Sequence, residues 1–123
     1  MTLNVLYVDD EPDIREVAVM SLEIDDGIAV EAVASGREAL DRLAERPFDV
    51  ILLDVMMPDL DGPATLDALR ARGDATPVVF ITARAQSHEQ QRFLQLGAVG
   101  IITKPFDPMT LAVELRAVLA RAS

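Results

Sequence analysis

Four apolar runs in this chain each stop at residues that can do phosphate or metal chemistry. The run over 3–8 leads into Asp9-Asp10, that over 49–53 into Asp54, that over 77–81 into Thr82, and Ile101-Ile102-Thr103 into Lys104-Pro105. If the runs are parallel strands of one sheet, their carboxyl ends share the edge where open α/β sheets bind ligands. Three carboxylates, a hydroxyl and an ammonium would then meet, a set that suits a hard divalent cation together with a phosphoryl group. Three carboxylates, one divalent cation and Lys104 sum to zero charge, so an anionic phosphoryl group can approach without net repulsion.

Each signal is weaker alone. Asp9-Asp10-Glu11 could simply favour the dipole of a following helix, Thr82 could be a strand-end residue, and Lys104 a solvated lysine before a turn. Asp54 changes the balance, because crowded carboxylates repel one another and are best explained by a cation meant to lie among them.

The elements that must position these groups alternate in type along the whole chain. Strands are expected over 4–8, 29–33, 50–53, 78–81 and 100–102. Pro12 suits the first turn of a helix running to about Asp25, before Gly27. Ser35-Gly36-Arg37-Glu38 matches a capping box, with Leu40 and Leu43 as the buried stripe of the second helix. Pro63 opens the third, with Leu66 and Leu69 inward and Gly73 at its end; Ser87-His88-Glu89-Gln90 is a second capping-box pattern, and Gly97 ends the fourth. Asp107-Pro108 starts the fifth, where Leu111, Leu115, Val118 and Leu119 recur at helical spacing. Five such units with right-handed crossovers give a doubly wound, five-stranded parallel sheet with helices on both faces. The flavodoxin-like strand order 2-1-3-4-5 is expected, setting the third strand beside the first.

The 123 residues suit a single domain spanning 1–123, long enough to bury a core. No apolar stretch approaches the ~20 residues of a membrane span. The start at Met1-Thr2-Leu3-Asn4 shows no export signal, and with no cysteine in the chain a cytoplasmic location is expected. Eleven basic against 21 acidic side chains leave a net charge of −10, which disfavours nucleic acid and anionic membranes as direct partners.

Taken together, Asp9-Asp10, Asp54 with Met57-Pro58 and Asp61-Gly62, Thr82-Ala83, and Lys104-Pro105-Phe106 resemble the response-regulator receiver domain of bacterial two-component signalling, over nearly the whole chain. That resemblance implies that Asp54 accepts a phosphoryl group from a sensor histidine kinase or phosphotransfer protein. It implies that Asp10, Asp54 and the backbone carbonyl of Met56 bind Mg²⁺ directly, with Asp9 holding the ion through water. Lys104 and Thr82 would each contact a phosphoryl oxygen, and the Lys104-Pro105 peptide is expected to be cis. Such a protein is a phosphoacceptor rather than an enzyme, although it assists its own phosphorylation and dephosphorylation. It would act as a monomer or a phosphorylation-dependent dimer, contacting a downstream protein through helix four, strand five and helix five.

Met56 and Arg84 are each two residues beyond a site residue, where they could tune the access of water or serve as plain loop positions. Ile101 departs from the pattern, since many receivers carry Tyr or Phe there. With no polar tip, Ile101 gains nothing by choosing between wet and buried positions, so the switch is expected in the loop over 82–86 and the start of helix four. That helix has its large apolar anchors, Phe93, Leu94 and Leu96, only in its second half, and the lone His88 fits a solvated helix start.

Other chemistries fit less well. A haloacid-dehalogenase-like phosphatase would want a second Asp where Met56 stands, and no phosphate-binding P-loop motif is present. A flavodoxin-like cofactor site would be rich in hydroxyls and Gly after the first strand, not in carboxylates. An interaction module that has lost the chemistry would have no need of every phosphorylation residue. With no effector domain after the fifth helix, a stand-alone regulator, a phosphorelay shuttle and a receiver cut from a longer protein stay open.

Overall fold

The computed structural model describes residues 1–83 and 86–122. Its elements alternate as β1 (Leu3–Val8), α1 (Pro12–Leu22), β2 (Ile28–Val33), α2 (Gly36–Glu45), β3 (Val50–Asp54), α3 (Gly62–Ala71), β4 (Val78–Thr82), α4 (Ser87–Gln95), β5 (Gly100–Thr103) and α5 (Leu111–Ala122). The strands form one parallel sheet in the order β2-β1-β3-β4-β5. Both the alternation and the strand order agree with expectation.

Two-residue periodicity divides each central strand between two apolar layers. Leu6, Val8, Ile51, Leu53, Val78 and Phe80 pack with residues of α2, α3 and α4. Val5, Tyr7, Val50, Leu52, Val79 and Ile81 pack with residues of α1 and α5. Because both faces are covered, β3 and β4 are buried along their whole length, which accounts for their nearly continuous β-branched and leucine composition.

The helix ends depart from expectation in instructive ways. α1 stops at Leu22 rather than near Asp25: Asp25 N donates to the Leu22 carbonyl, and the Asp25 carboxylate then accepts from Gly27 N at 2.8 Å. At α2, Ser35 Oγ accepts from Glu38 N at 3.1 Å, but the Glu38 carboxylate reaches one residue further back than a capping box requires and accepts from Ala34 N at 2.6 Å. The stripe of α2 is Ala39 and Leu43, with Leu40 only partly buried. The capping box expected from Ser87 does not form; Gln86 is the cap residue, without a side-chain bond, and Ser87 is already helical. A turn capped by Asp107, whose carboxylate accepts from Met109 N, leads into α5 at Leu111.

α4 is the most weakly anchored helix. Phe93 is its one buried residue, packed edge-on to Phe80 with ring centroids 5.2 Å apart. Leu94 and Leu96, expected as further anchors, are 47% and 36% exposed. One buried aromatic contributes roughly 1.5–3 kcal/mol, whereas α3 has both Leu66 and Leu69 fully buried.

Candidate functional site

The β1–β3 register fixes the first pair of acids. Val8 lies opposite Leu53, so the next residues, Asp9 and Asp54, come side by side at the carboxyl edge. Asp54 in turn pairs with Ile81, and Thr82 with Thr103. Lys104 N donates to the Thr82 carbonyl at 2.8 Å, which ties the end of β5 to the end of β4. The loop after β3 is drawn back against the site at Gly62, whose N–H donates to the Val55 carbonyl. A Cβ there would stand 2.7 Å from the Asp54 carbonyl oxygen, so only glycine fits.

Asp9, Asp10 and Asp54 each offer a carboxylate oxygen, and the three oxygens lie within 4.8 Å of one another. Asp9 is fully buried and Asp54 is 4% exposed. Lys104 Nζ stands 2.9 Å from Asp9 Oδ2, 3.3 Å from Asp54 Oδ2 and 3.8 Å from Glu11 Oε1. Asp9 Oδ1 accepts from Glu11 N at 3.0 Å, and Arg15 donates to the Asp9 carbonyl at 2.8 Å. Asp54 Oδ1 accepts a long bond, 3.4 Å, from Met56 N. The Lys104-Pro105 peptide is cis, as expected.

Burial is the main cause that pushes the Asp54 carboxyl up to about 6, and the nearby Asp9 charge adds to it against the opposing pull of Lys104. Burial alone would lower the Lys104 ammonium, but its hydrogen bond to Asp9 and the Asp54 and Asp9 charges outweigh burial and hold it above its ordinary value. Among the described residues the cluster thus has more acid than Lys104 neutralises. Closely spaced oxygens with surplus negative charge are a donor set for a hard divalent ion such as Mg²⁺.

The structure brings Asp9, Asp10, Asp54 and Lys104 together, and it buries Thr82 at the same sheet edge. Met56 is 66% exposed beside them; Arg84 lies outside the described residues. His88 is exposed, as expected, with Nε2 3.8 Å from Glu89. Ile101 is partly buried against the layer of α2, α3 and α4. Sequence reasoning missed Tyr7, whose hydroxyl donates to Asp9 Oδ2 at 3.0 Å. The signal was available, because residues two apart on a strand point to the same face.

The model of the response regulator receiver domain family matches residues 5–116. The chain is 40% identical, over its full length, to the response regulator MprA of Mycolicibacterium vanbaalenii, and 35% identical over 93% of its length to the transcriptional regulatory protein DltR of Streptococcus agalactiae. It spans about half the length of these curated relatives. Among solved structures, the chemotaxis response regulator CheY4 of Vibrio cholerae superposes with a TM-score of 0.87 at 37% identity, covering 96% of this chain and 99% of that one. The Francisella response regulator 1452 receiver domain gives 0.88 at 30% identity, covering 99% and 100%. An acidic cluster typical of a phosphoacceptor and metal site, the parallel sheet in the order β2-β1-β3-β4-β5, and these relatives agree: the chain belongs to the response regulator receiver domain family, signalling modules of two-component phosphorelays rather than classical enzymes.

Proposed function

We propose that this chain is a phosphoacceptor that takes a phosphoryl group onto Asp54 from the phosphohistidine of a sensor kinase or phosphotransfer protein. The observation that carries this reading is the position of Asp54, last residue of β3, buried among acids and tied by Lys104 to Asp9. An Asp54 carboxylate oxygen attacks phosphorus, the phosphorus–nitrogen bond of the donor breaks, and the imidazole leaves and takes up a proton. Lys104 and Thr82 hold phosphoryl oxygens, while Asp10, Asp54 and the Met56 carbonyl would hold Mg²⁺ directly and Asp9 would hold it through water. That ion, when bound, neutralises charge on the phosphoryl oxygens of a loose transition state, so positioning by these side chains carries most of the acceleration. Water later attacks phosphorus, breaks its bond to Asp54 and restores the carboxylate.

An apolar hollow beside Lys104, lined by Ile14, Val17, Pro105 and Phe106, supports a protein donor as the natural partner. A second hollow, between α4, β5 and α5 and lined by Leu94, Ile101, Val118 and Arg121, supports that face as the one a downstream protein contacts. The thin anchoring of α4 supports its start as the moving element, with Ile101 keeping its rotamer. Among the described residues no helix is long and apolar enough to cross a membrane, which is compatible with a cytoplasmic setting.

Incubation with a small acyl phosphate and Mg²⁺, followed by intact-mass measurement, tests the reading. Wild type gains the mass of one phosphoryl group, and Asp54→Ala gains none. A stable acyl phosphate on Asp54→Ala would overturn the assignment.

A further inference from the structure

Tyr7 is the chain's only tyrosine, and the chain has no tryptophan. Its ring is fully buried in the layer that includes Ala18, Leu22, Leu52 and Leu115, a place that phenylalanine would fill as well. The hydroxyl is what differs, and it donates to Asp9 Oδ2, the same oxygen that Lys104 Nζ approaches at 2.9 Å.

Resting on the function proposed above, Lys104 must give up Asp9 to reach a phosphoryl oxygen on Asp54. Asp9 is fully buried; Mg²⁺ held through water would offset its charge, but Oδ2 loses the hydrogen bond of Lys104, and a buried acceptor that loses a donor is disfavoured unless another holds it. Glu11 N occupies the other oxygen, Oδ1, so it does not take the place of Lys104. We infer that Tyr7 is a positioning residue: its hydroxyl holds Asp9 Oδ2 so that Lys104 can pass from Asp9 to a phosphoryl oxygen. Without the hydroxyl, Asp9 Oδ2 relies more on Lys104, whose passage to the phosphoryl oxygen is slowed.

Rates of phosphorylation by a small acyl phosphate at saturating Mg²⁺ test this in wild type, Tyr7→Phe, Lys104→Ala and the double variant. The expected result is about a tenfold slowing in Tyr7→Phe, with no further slowing when Tyr7→Phe is added to Lys104→Ala. Equal slowing in both backgrounds would mark Tyr7 as merely structural, and no slowing in the wild-type background would remove its role; either overturns the inference. The wild-type chain supplies a second measurement that needs no variant, because its near-ultraviolet absorption comes from this single phenol among aromatics that are otherwise Phe. Adding Mg²⁺ and beryllofluoride should shift that band to the red, since Oδ2 freed of the direct Lys104 contact is a stronger acceptor for the phenol even with Mg²⁺ held through water; a blue shift or no shift counts against the idea. Wild type that gains no phosphoryl mass defeats the function proposed above and this inference with it. Wild type phosphorylated no faster than Tyr7→Phe defeats the inference alone.

Discussion

Two clusters of charge in this molecule are built in opposite ways. On the surface, Glu31 of β2 is flanked by Arg42 and Arg46: it bonds Arg42 through both oxygens and Arg46 at 3.2 Å, while Arg42 also meets Glu45 at 2.6 Å. Acids and bases are matched there, and the Arg42 hydrogen bond leads the effects that hold the Glu31 carboxyl below the usual carboxylate range. At the sheet edge Asp9 and Asp54 both contact the ammonium of Lys104, with Asp10 and Glu11 nearby, and Asp54 moves up to about 6. Both clusters are rich in carboxylates, so acidity alone does not distinguish them. Burial and an excess of acid over base do, because together they leave a charge deficit that a ligand can fill.

The largest effect expected from this contrast is on metal affinity. If Asp54 holds Mg²⁺ as proposed, protons compete with the ion for it, so the Mg²⁺ dissociation constant, measured by titration calorimetry, should rise by up to about tenfold per pH unit below about 6. A constant that is flat from pH 7 to pH 5 would break the contrast.

Metal-free stability should then show opposite signs at the two clusters. The folded pKa of Asp54 lies above the ordinary 3.8, so the native state holds a proton that the unfolded state has released. Its contribution therefore falls as pH rises from about 4 to about 6, by on the order of 3 kcal/mol, and is level above that. Glu31, with its pKa lowered, stabilises above the ordinary carboxylate range, and that contribution is lost as pH falls through its folded value. Melting curves of Asp54→Asn against wild type across this range should lose the first trend and keep the second.

A smaller effect is expected from Asp10→Asn, which removes one of the crowded charges. The apo melting midpoint at neutral pH should rise, by about 1 kcal/mol of stability at an effective dielectric near 20, while Mg²⁺ binding weakens. An unchanged or lower midpoint would mean that Asp10 does not share the site electrostatically. Arg42→Gln, in the matched cluster, should change stability least of all and lose what effect it has at high salt. A loss larger than the gain from Asp10→Asn would show that the surface network supports the fold more than its exposure suggests.

Much of the site was legible before the fold was known. Asp54 and Thr82 each end an apolar β-branched run, and Pro12, Pro63, Gly73 and Gly97 mark helix boundaries through backbone restrictions that act within a few residues. Gly73 and Gly97 do adopt positive φ, at 82° and 115°. The second capping box was misread because Ser87 is as compatible with a first helical residue as with a cap, and local sequence does not separate the two. Leu94 and Leu96 were misread as anchors because hydrophobicity says nothing of how far α4 sits from the sheet, and the sheet reaches only Phe93.

The sequence by itself determined the alternation of strands and helices, the two apolar faces of each central strand, and the identity of the residues that end them. Those follow from backbone periodicity and side-chain type, which act over a few residues. Tertiary structure alone decided that Val8 lies opposite Leu53, that Lys104 reaches Asp9 more closely than Asp54, that Tyr7 bonds the same oxygen, and that burial lifts the Asp54 carboxyl. Each depends on groups separated by up to most of the chain, or on the exclusion of water by layers packed on both faces, and neither quantity exists until the sheet has closed over its core.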